Sequence, residues 1–202
     1  MYTKLIAAFV AAFPVAALAQ VTAIGPFTGD MQDSYETQTV TGFEVSYPIF
    51  GGTAIVQQED MQALLSITTG WSFFSNISPH SGARFLGSAG GGYDFIFNAP
   101  AFRFGGYFGT NADTPGATAT FFDAQNVQVG GPMAVGAPLG QWQWDGWEFA
   151  GAGVTRVHID PSNQFNGFIM SDDIEYVGVV PEPAAIFGLL AGIGLIIARR
   201  KR

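Results

Sequence analysis

Carboxylates are the side chains of this sequence that could most readily carry out chemistry. A glycoside hydrolase needs two carboxyl groups, about 5–10 Å apart. Eight acidic residues lie in or beside segments with strand patterning: Asp94, Asp123, Asp145, Glu148, Asp160, Asp172, Asp173 and Glu175. Alternation predicts Asp173 and Glu175 on one face of a strand, with Asp172 on the other. No spacing pairs two of them at a defined separation, so we expect them mainly to solvate an outer sheet face.

Tryptophans are the second candidate group. The segment Gln141–Phe149 holds three of the four tryptophans, namely Trp142, Trp144 and Trp147. An exposed tryptophan ring can support a sugar ring, and neighbouring Gln, Asp and Glu side chains accept hydrogen bonds from hydroxyls. We expect two of the three rings in the core, with a bulge at Asp145–Gly146 before Trp147 and Phe149. The three tryptophans are the candidate glycan contacts.

Other catalytic patterns are missing from the sequence. There is no Gly-x-Ser-x-Gly elbow, His-Glu-x-x-His helix, phosphate loop or dinucleotide fingerprint. Of the two histidines, His80 is expected in a loop and His158 on a solvent-facing strand, which predicts no zinc site. The chain has no cysteine, so thiol chemistry and disulfides are excluded. We therefore expect a protein that is not an enzyme and has no resident organic cofactor.

The elements that must position these residues are predicted to be strands. Short runs with alternating or dense aromatic residues are separated by Gly, Pro, Asn and Asp, and no long segment between residues 20 and 180 has helical spacing. Glu59–Leu65 fits a helical turn or a strand. The predicted strands are Gly42–Tyr47, Thr53–Gln57, Trp71–Ser75, Arg84–Leu86, Tyr93–Phe97, Phe102–Phe108, Ala117–Asp123, Asn126–Val129, Gln141–Phe149, Val154–Ile159 and Gly167–Tyr176. This pattern predicts an all-β, antiparallel β-sandwich of the jelly-roll type.

The aromatic order from Tyr93 to Tyr176 carries a resemblance. Phe95-x-Phe97, Phe102-x-Phe104-Gly-Gly-x-Phe108, Trp142-x-Trp144 and Asp172-Asp-Ile-Glu-Tyr176 are similar to jelly-roll bodies and, in outline, to galactose-binding-like domains. Such domains often carry a structural calcium beside the first and last strands. The resemblance therefore implies a candidate calcium site, with Asp172 and Asp173 near the end of the domain and Asp30, Asp33 or Glu36 near its start.

The C-terminus has the composition of a sorting signal. Pro181, Glu182 and Pro183 precede an apolar run from Ala184 to Ala198, and four basic residues follow: Arg199, Arg200, Lys201 and Arg202. A helix over that run rises about 22 Å against a hydrocarbon core of roughly 30 Å, and the basic cluster favours the cytoplasmic side. This arrangement resembles the PEP-CTERM signal of Gram-negative bacteria, which implies cleavage by an exosortase-type membrane protease. A plain C-terminal membrane anchor is the alternative.

The N-terminus predicts export. Lys4, an apolar run from Leu5 to Val15 and the A-x-A pair Ala17 and Ala19 form a signal peptide over residues 1–19, with cleavage before Gln20. The Sec translocon is then the first partner. Residues 20–180 form one domain, and residues 181–202 the sorting signal.

The exported part is strongly acidic. Removing Lys4, the four basic tail residues and Glu182 leaves three basic and fifteen acidic residues, a net charge of about −12. Such a surface disfavours nucleic acid as a partner.

Taken together, these features predict an inner-membrane-anchored precursor that becomes a surface, outer-membrane or matrix protein of a Gram-negative bacterium. We expect a non-enzymatic protein associated with extracellular polysaccharide. A secreted glycan hydrolase that uses two carboxyl groups is the alternative.

Overall fold

The computed structural model describes residues 21–38, 43–59, 64–67 and 71–178. The predicted signal peptide and its cleavage residues lie outside these ranges, as does the predicted sorting signal from residue 181 to residue 202. No helix within the described ranges is long and apolar enough to cross a membrane.

The described residues are organised almost entirely as strands. The strands are β1 (Val21–Ala23), β2 (Met31–Asp33), β3 (Phe43–Glu44), β4 (Ser46–Ile49), β5 (Ala54–Gln58), β6 (Leu64–Ile67), β7 (Trp71–Ser72), β8 (Asn76–Ile77), β9 (Phe85–Ser88), β10 (Tyr93–Ala101), β11 (Arg103–Thr110), β12 (Ala117–Phe122), β13 (Met133–Val135), β14 (Gln143–Phe149), β15 (Val154–Pro161) and β16 (Ile169–Val177). A 3-10 turn, Phe50–Gly52, connects β4 to β5.

Two antiparallel sheets contain all but two of these strands. The eight-stranded sheet has the order β1-β14-β11-β16-β9-β6-β3, and β2 also pairs with β16. The six-stranded sheet has the order β13-β12-β15-β10-β5-β4, while β7 and β8 form a separate hairpin. Because β2 pairs with residues 174–176 and β9 with residues 170–171, these two strands lie end to end along one side of β16.

The hydrophobic core lies between the two sheets. Phe95 of the six-stranded sheet packs against Phe104 of the eight-stranded sheet, with ring centroids 4.6 Å apart, and Phe121 packs against Trp147 at 5.3 Å. The alternation of Ala119 and Phe121 with Thr118, Thr120 and Phe122 predicts a strand with two distinct faces. In β12, residues 117, 119 and 121 are buried while residues 118, 120 and 122 are half-buried, so this prediction is confirmed. The fold is therefore an antiparallel β-sandwich, as the sequence predicts.

Several predicted elements differ from the observed ones. Asn126–Val129 is not a strand, because Asp123 Oδ1 accepts the N–H groups of Gln125 and Val127 and Asn126 has a positive φ of 60°. Trp71–Ser75 is one arm and the turn of the β7–β8 hairpin. The described part of Glu59–Leu65 ends in strand β6, so the strand alternative is correct there. The short strands β1, β2 and β13 were not predicted.

Candidate functional site

A β-bulge in β16 shapes the outer face of the eight-stranded sheet. The pairing of β11 with β16 shifts between Gly105, which faces Glu175, and Tyr107, which faces Asp172. The extra residue places Asp173 in the left-handed region, with a φ of 44°. Ile174 packs in the core, while Asp172 and Asp173 both bond to the same outer loop. The predicted alternation, with Asp172 on the face of Ile174, is therefore wrong.

This outer loop is held down by side-chain carboxylates. Asp172 Oδ2 accepts the backbone N–H of His80 at 2.8 Å, and Asp173 accepts the Ser81 hydroxyl at 2.7 Å. Asp173 Oδ2 also lies 2.6 Å from His80 Nδ1. Glu36 Oε1 accepts the N–H groups of residues 83 and 84, both at 2.8 Å. The loop from His80 to Arg84 is thus fixed in place by three acidic residues.

Burial dominates the electrostatics of Asp172, whose side chain is inaccessible to solvent. Loss of hydration raises its pKa to about 7, and the neighbouring charge of Asp173 adds to the increase. Hydrogen bonds from the backbone N–H groups of Asp173, His80 and Ser81 oppose it. Asp172 is buried, and its hydrogen bonds hold the loop in position.

An aromatic group lies beside the loop. The His80 ring stacks on Tyr107 with centroids 3.5 Å apart, and Tyr107 meets Trp144 edge to face at 5.4 Å. Trp144 also contacts Phe27 at 5.7 Å, because the segment from Ile24 to Asp30 crosses this face between β1 and β2. A Cβ atom on Gly105 would lie 2.8 Å from the Trp144 ring, so the absence of a side chain there lets the indole lie against the sheet.

The three candidate tryptophans have three different environments. Trp144 is half-buried on the outer face. Trp142 donates its Nε1–H to the carbonyl of Ser78 at 2.8 Å and packs on a small cluster formed by Ile77, Phe85 and Met170. Trp147 fills the main core and cannot contact a surface ligand. The expected bulge at Asp145–Gly146 is wrong, since β14 pairs with β11 in an unbroken register from residue 143 to residue 148.

A cavity of about 490 Å³ lies between β2, β11 and the bulge. It is lined by Gln32, Asp33, Ser34, Tyr107, Asp173, Ile174 and Glu175. Its lining thus comes from β2 and the residue after it, from Tyr107 of β11 and from the bulged part of β16. We refer to this cavity as the acidic cleft. It offers carboxylate, amide and hydroxyl groups beside one aromatic ring, a combination that suits a polyhydroxylated ligand.

The predicted calcium ligands do not come together. Asp33 and Asp173 share the acidic cleft, Asp172 is buried under the loop, and Asp30 lines another cavity with Tyr176 and Gly178. Within the described ranges, no group of three or more His, Cys, Asp or Glu side chains is placed to hold a metal ion. Calcium binding stays a prediction.

Most other candidate carboxylates have local structural partners. Asp94 pairs with Arg156 at 3.0 Å and Glu148 with Arg103 at 2.6 Å. Asp145 Oδ2 accepts the N–H of Gly136. Asp94 also contacts His158 Nδ1 at 3.0 Å on the outer face of the six-stranded sheet. These carboxylates are bonded to local partners, whereas the sequence leads us to expect them mainly to solvate an outer sheet face.

Sequence reasoning missed several residues of the cleft, including Tyr107, Gln32 and Ser34. A signal existed for Tyr107. It follows Gly105 and Gly106 and lies on the strand face opposite to Phe104 and Phe108. No local signal marks Gln32 and Ser34, because they reach the cleft only through the pairing of β2 with β16.

Among known proteins, this chain is similar only to solved structures. No protein family and no curated protein matches the chain. The cleaved adhesin domain K2 of Lys-gingipain is 14% identical over 72% of this chain and 97% of its own, with a TM-score of 0.49. The CBM22-1 xylan-binding domain of Paenibacillus barcinonensis Xyn10C is 13% identical over 77% and 100%, with a TM-score of 0.43. The family 11 carbohydrate-binding module of Clostridium thermocellum Lic26A-Cel5E is 11% identical over 79% and 99%, with a TM-score of 0.40. At these scores the likenesses carry no argument about this chain's ligand.

Proposed function

We propose that the sandwich is a non-enzymatic glycan-binding domain and that the acidic cleft is its binding site. The observation that carries the proposal is the combination in one cavity of Tyr107 with the side chains of Gln32, Ser34, Asp173 and Glu175. Sugars bind to proteins through the apolar face of the ring, which packs on an aromatic side chain, and through hydroxyls, which bond to amides and carboxylates.

The cleft is preorganised for this role. Asp173 is oriented by the Ser81 hydroxyl and by His80, and Glu175 is oriented by the backbone N–H of Gly29 at 2.6 Å. Tyr107 is fixed between His80 and Trp144. Because these side chains are already ordered, a ligand loses less free energy in ordering them.

Binding to a panel of purified polysaccharides and oligosaccharides, followed by isothermal titration calorimetry, tests the proposal. Tyr107→Ala should weaken binding about tenfold, equivalent to about 1.4 kcal/mol, since both the ring contact and its buried apolar area are lost. Phe43→Ala is the matched control, because Phe43 is an exposed aromatic residue on β3, outside the cleft. Unchanged affinity in Tyr107→Ala would contradict the assignment of the site.

The same preparation tests the hydrolase alternative. Asp173 and Glu175 line one cavity, but Asp172, the carboxyl group with the most strongly raised pKa, is buried away from it. We expect no release of reducing ends during prolonged incubation with any glycan that binds. Release that disappears in Glu175→Gln would instead make the protein a hydrolase.

We further propose that the protein is exported and sorted as its termini predict. The Sec translocon would export it, the apolar segment from residue 184 to residue 198 would hold it in the inner membrane, and an exosortase-type protease would cleave near Pro181, Glu182 and Pro183. The released domain would then associate with polysaccharide at the cell surface or in the matrix.

Intact mass spectrometry of the protein from its own cells and from the medium tests this route. Processing at both ends gives a product that begins at Gln20 and ends near Pro181. A product that retains Arg199, Arg200, Lys201 and Arg202 would make the tail a plain membrane anchor and would overturn the sorting proposal.

A further inference from the structure

The acidic cleft has an unbalanced charge. Three of its seven lining residues are carboxylates, Asp33, Asp173 and Glu175, and none of the seven is Lys or Arg. The exported part of the chain is itself strongly acidic, so the surrounding surface adds to the negative potential.

The backbone hydrogen bonds to Asp33 and Glu175 do not neutralise this charge. Asp33 accepts the backbone N–H groups of Tyr35 and Phe50 at 2.8 and 2.7 Å, and Glu175 accepts that of Gly29. These donors orient the carboxylates but bring no formal positive charge. Asp173 bonds to the Ser81 hydroxyl and to the imidazole of His80, which is charged only when it is protonated.

Two arginines of the domain are engaged elsewhere. Arg103 binds Glu148 through both Nε and Nη2, and Arg156 pairs with Asp94 while lying over the Phe122 ring. A positive group supplied by the ligand would complete the site.

Building on the proposed glycan-binding function, we propose that the cleft is selective for glycans with free amino groups, such as glucosamine units in a partly N-deacetylated polysaccharide. The sugar contacts Tyr107 where this residue lines the cleft, and its ammonium group donates charge-assisted hydrogen bonds to Glu175 and Asp173. Uronic acid polymers are excluded, because their carboxylates would face three others.

The test uses two ligands that differ only in N-acetylation: the β-1,4-linked hexamer of glucosamine and the hexamer of N-acetylglucosamine. Calorimetry at pH 6 and low salt, on the protein purified from its own cells, should show at least tenfold tighter binding of the amino form, equivalent to about 1.4 kcal/mol. Because the interaction is electrostatic, we expect the preference to shrink as salt is raised.

Two variants test whether the preference for the amino hexamer arises in the acidic cleft. Glu175→Gln should abolish it, so that the amino and acetylated hexamers bind with similar affinity. Glu148→Gln is the matched control, a carboxylate of β14 that lies outside the cleft and pairs with Arg103. Equal loss of preference in both variants would show a general attraction to the acidic surface and would overturn the inference.

The outcomes for the two proposals are distinct. Equal or tighter binding of the acetylated hexamer would overturn amine selectivity and leave glycan binding intact. If neither hexamer binds and the wider glycan panel is also negative, the proposed function itself fails.

Discussion

At the scale of single residues, one short segment supplies side chains with opposite roles. Trp147 is buried between Phe104 and Phe121, whereas Trp144, three positions earlier, lies on the outer face beside Tyr107. A spacing of three residues reverses the face of a strand, so the two indoles cannot serve the same purpose. Composition alone, which shows only a tryptophan-rich segment, does not distinguish them.

Among single residues, Asp172 predicts the clearest pH dependence of folding stability. Burial raises its folded-state pKa to about 7, well above the ordinary value near 3.9 in the unfolded chain. A raised pKa means that the folded state holds the proton more tightly. The contribution of this group to stability is therefore fully present at low pH and is lost as the pH rises through 7.

Asp172→Asn should flatten this dependence, because an amide stays neutral. Between pH 4.5 and 7.5 we expect the free energy of unfolding of the variant to improve relative to the wild type by up to about 3 kcal/mol. Urea denaturation followed by tryptophan fluorescence, at four pH values across that range, measures the difference. Parallel curves for the two proteins would contradict the assignment of the shift to Asp172.

At the scale of elements, the acidic cleft depends on irregularities in otherwise regular strands. The bulge in β16 brings Asp172 and Asp173 to the same loop, and the glycines of β11 let the Trp144 ring lie close to the sheet. A Cβ atom on Gly105 would lie 2.8 Å from both the Gly146 Cα and the Trp144 ring. Neither the strand nor the ring has room to absorb a methyl group.

Gly105→Ala should therefore destabilise the domain by about 1–3 kcal/mol and alter the fluorescence of Trp144. Gly131→Ala is the matched control, because a Cβ atom there meets no heavy atom within 4 Å. Chemical denaturation with emission spectra of both variants measures the two effects. Equal stability of the two variants would mean that the strand tolerates a side chain at position 105.

Elements also show how far the sequence could predict the structure. Alternation identified the faces of β12 correctly, because the burial of residues 117, 119 and 121 follows from local pattern alone. The bulge at Asp173 was not predictable, since its cause is the registration of β16 against a strand more than sixty residues earlier. For the same reason, Gln32 and Ser34 escaped detection, and none of the three candidate tryptophans lines the acidic cleft.

At the scale of the whole molecule, the two ends of the described chain meet in the eight-stranded sheet. β2 pairs with the last strand, β16, and Asp33 uses its two carboxylate oxygens to accept N–H groups from Tyr35 and Phe50. The segment between β1 and β2 also covers Trp144 through Phe27. β1 and β2 therefore add to the eight-stranded sheet, and β2 forms part of the lining of the acidic cleft.

A chain that begins at Ser34 should lose cooperative unfolding, because β16 would keep unpaired backbone groups along residues 174–176. A chain that begins at Val21 is the control and should unfold in one transition. Urea titration followed by circular dichroism and fluorescence distinguishes them. A similar midpoint for both chains would show that β2 adds little to the stability of the sandwich.

The position of β16 has a mechanical consequence. The strand carries Asp173 and Glu175 at the acidic cleft and continues to Val177, one residue before the end of the described chain. If the C-terminus is tethered while the cleft holds a polymer, tension runs lengthwise along this strand. The hydrogen bonds that join β16 to β11 and β2 are perpendicular to this force. They must therefore break together, in shear, and not one after another. If the glycan-binding proposal holds and the C-terminus stays attached, this arrangement would help the domain to resist force along β16.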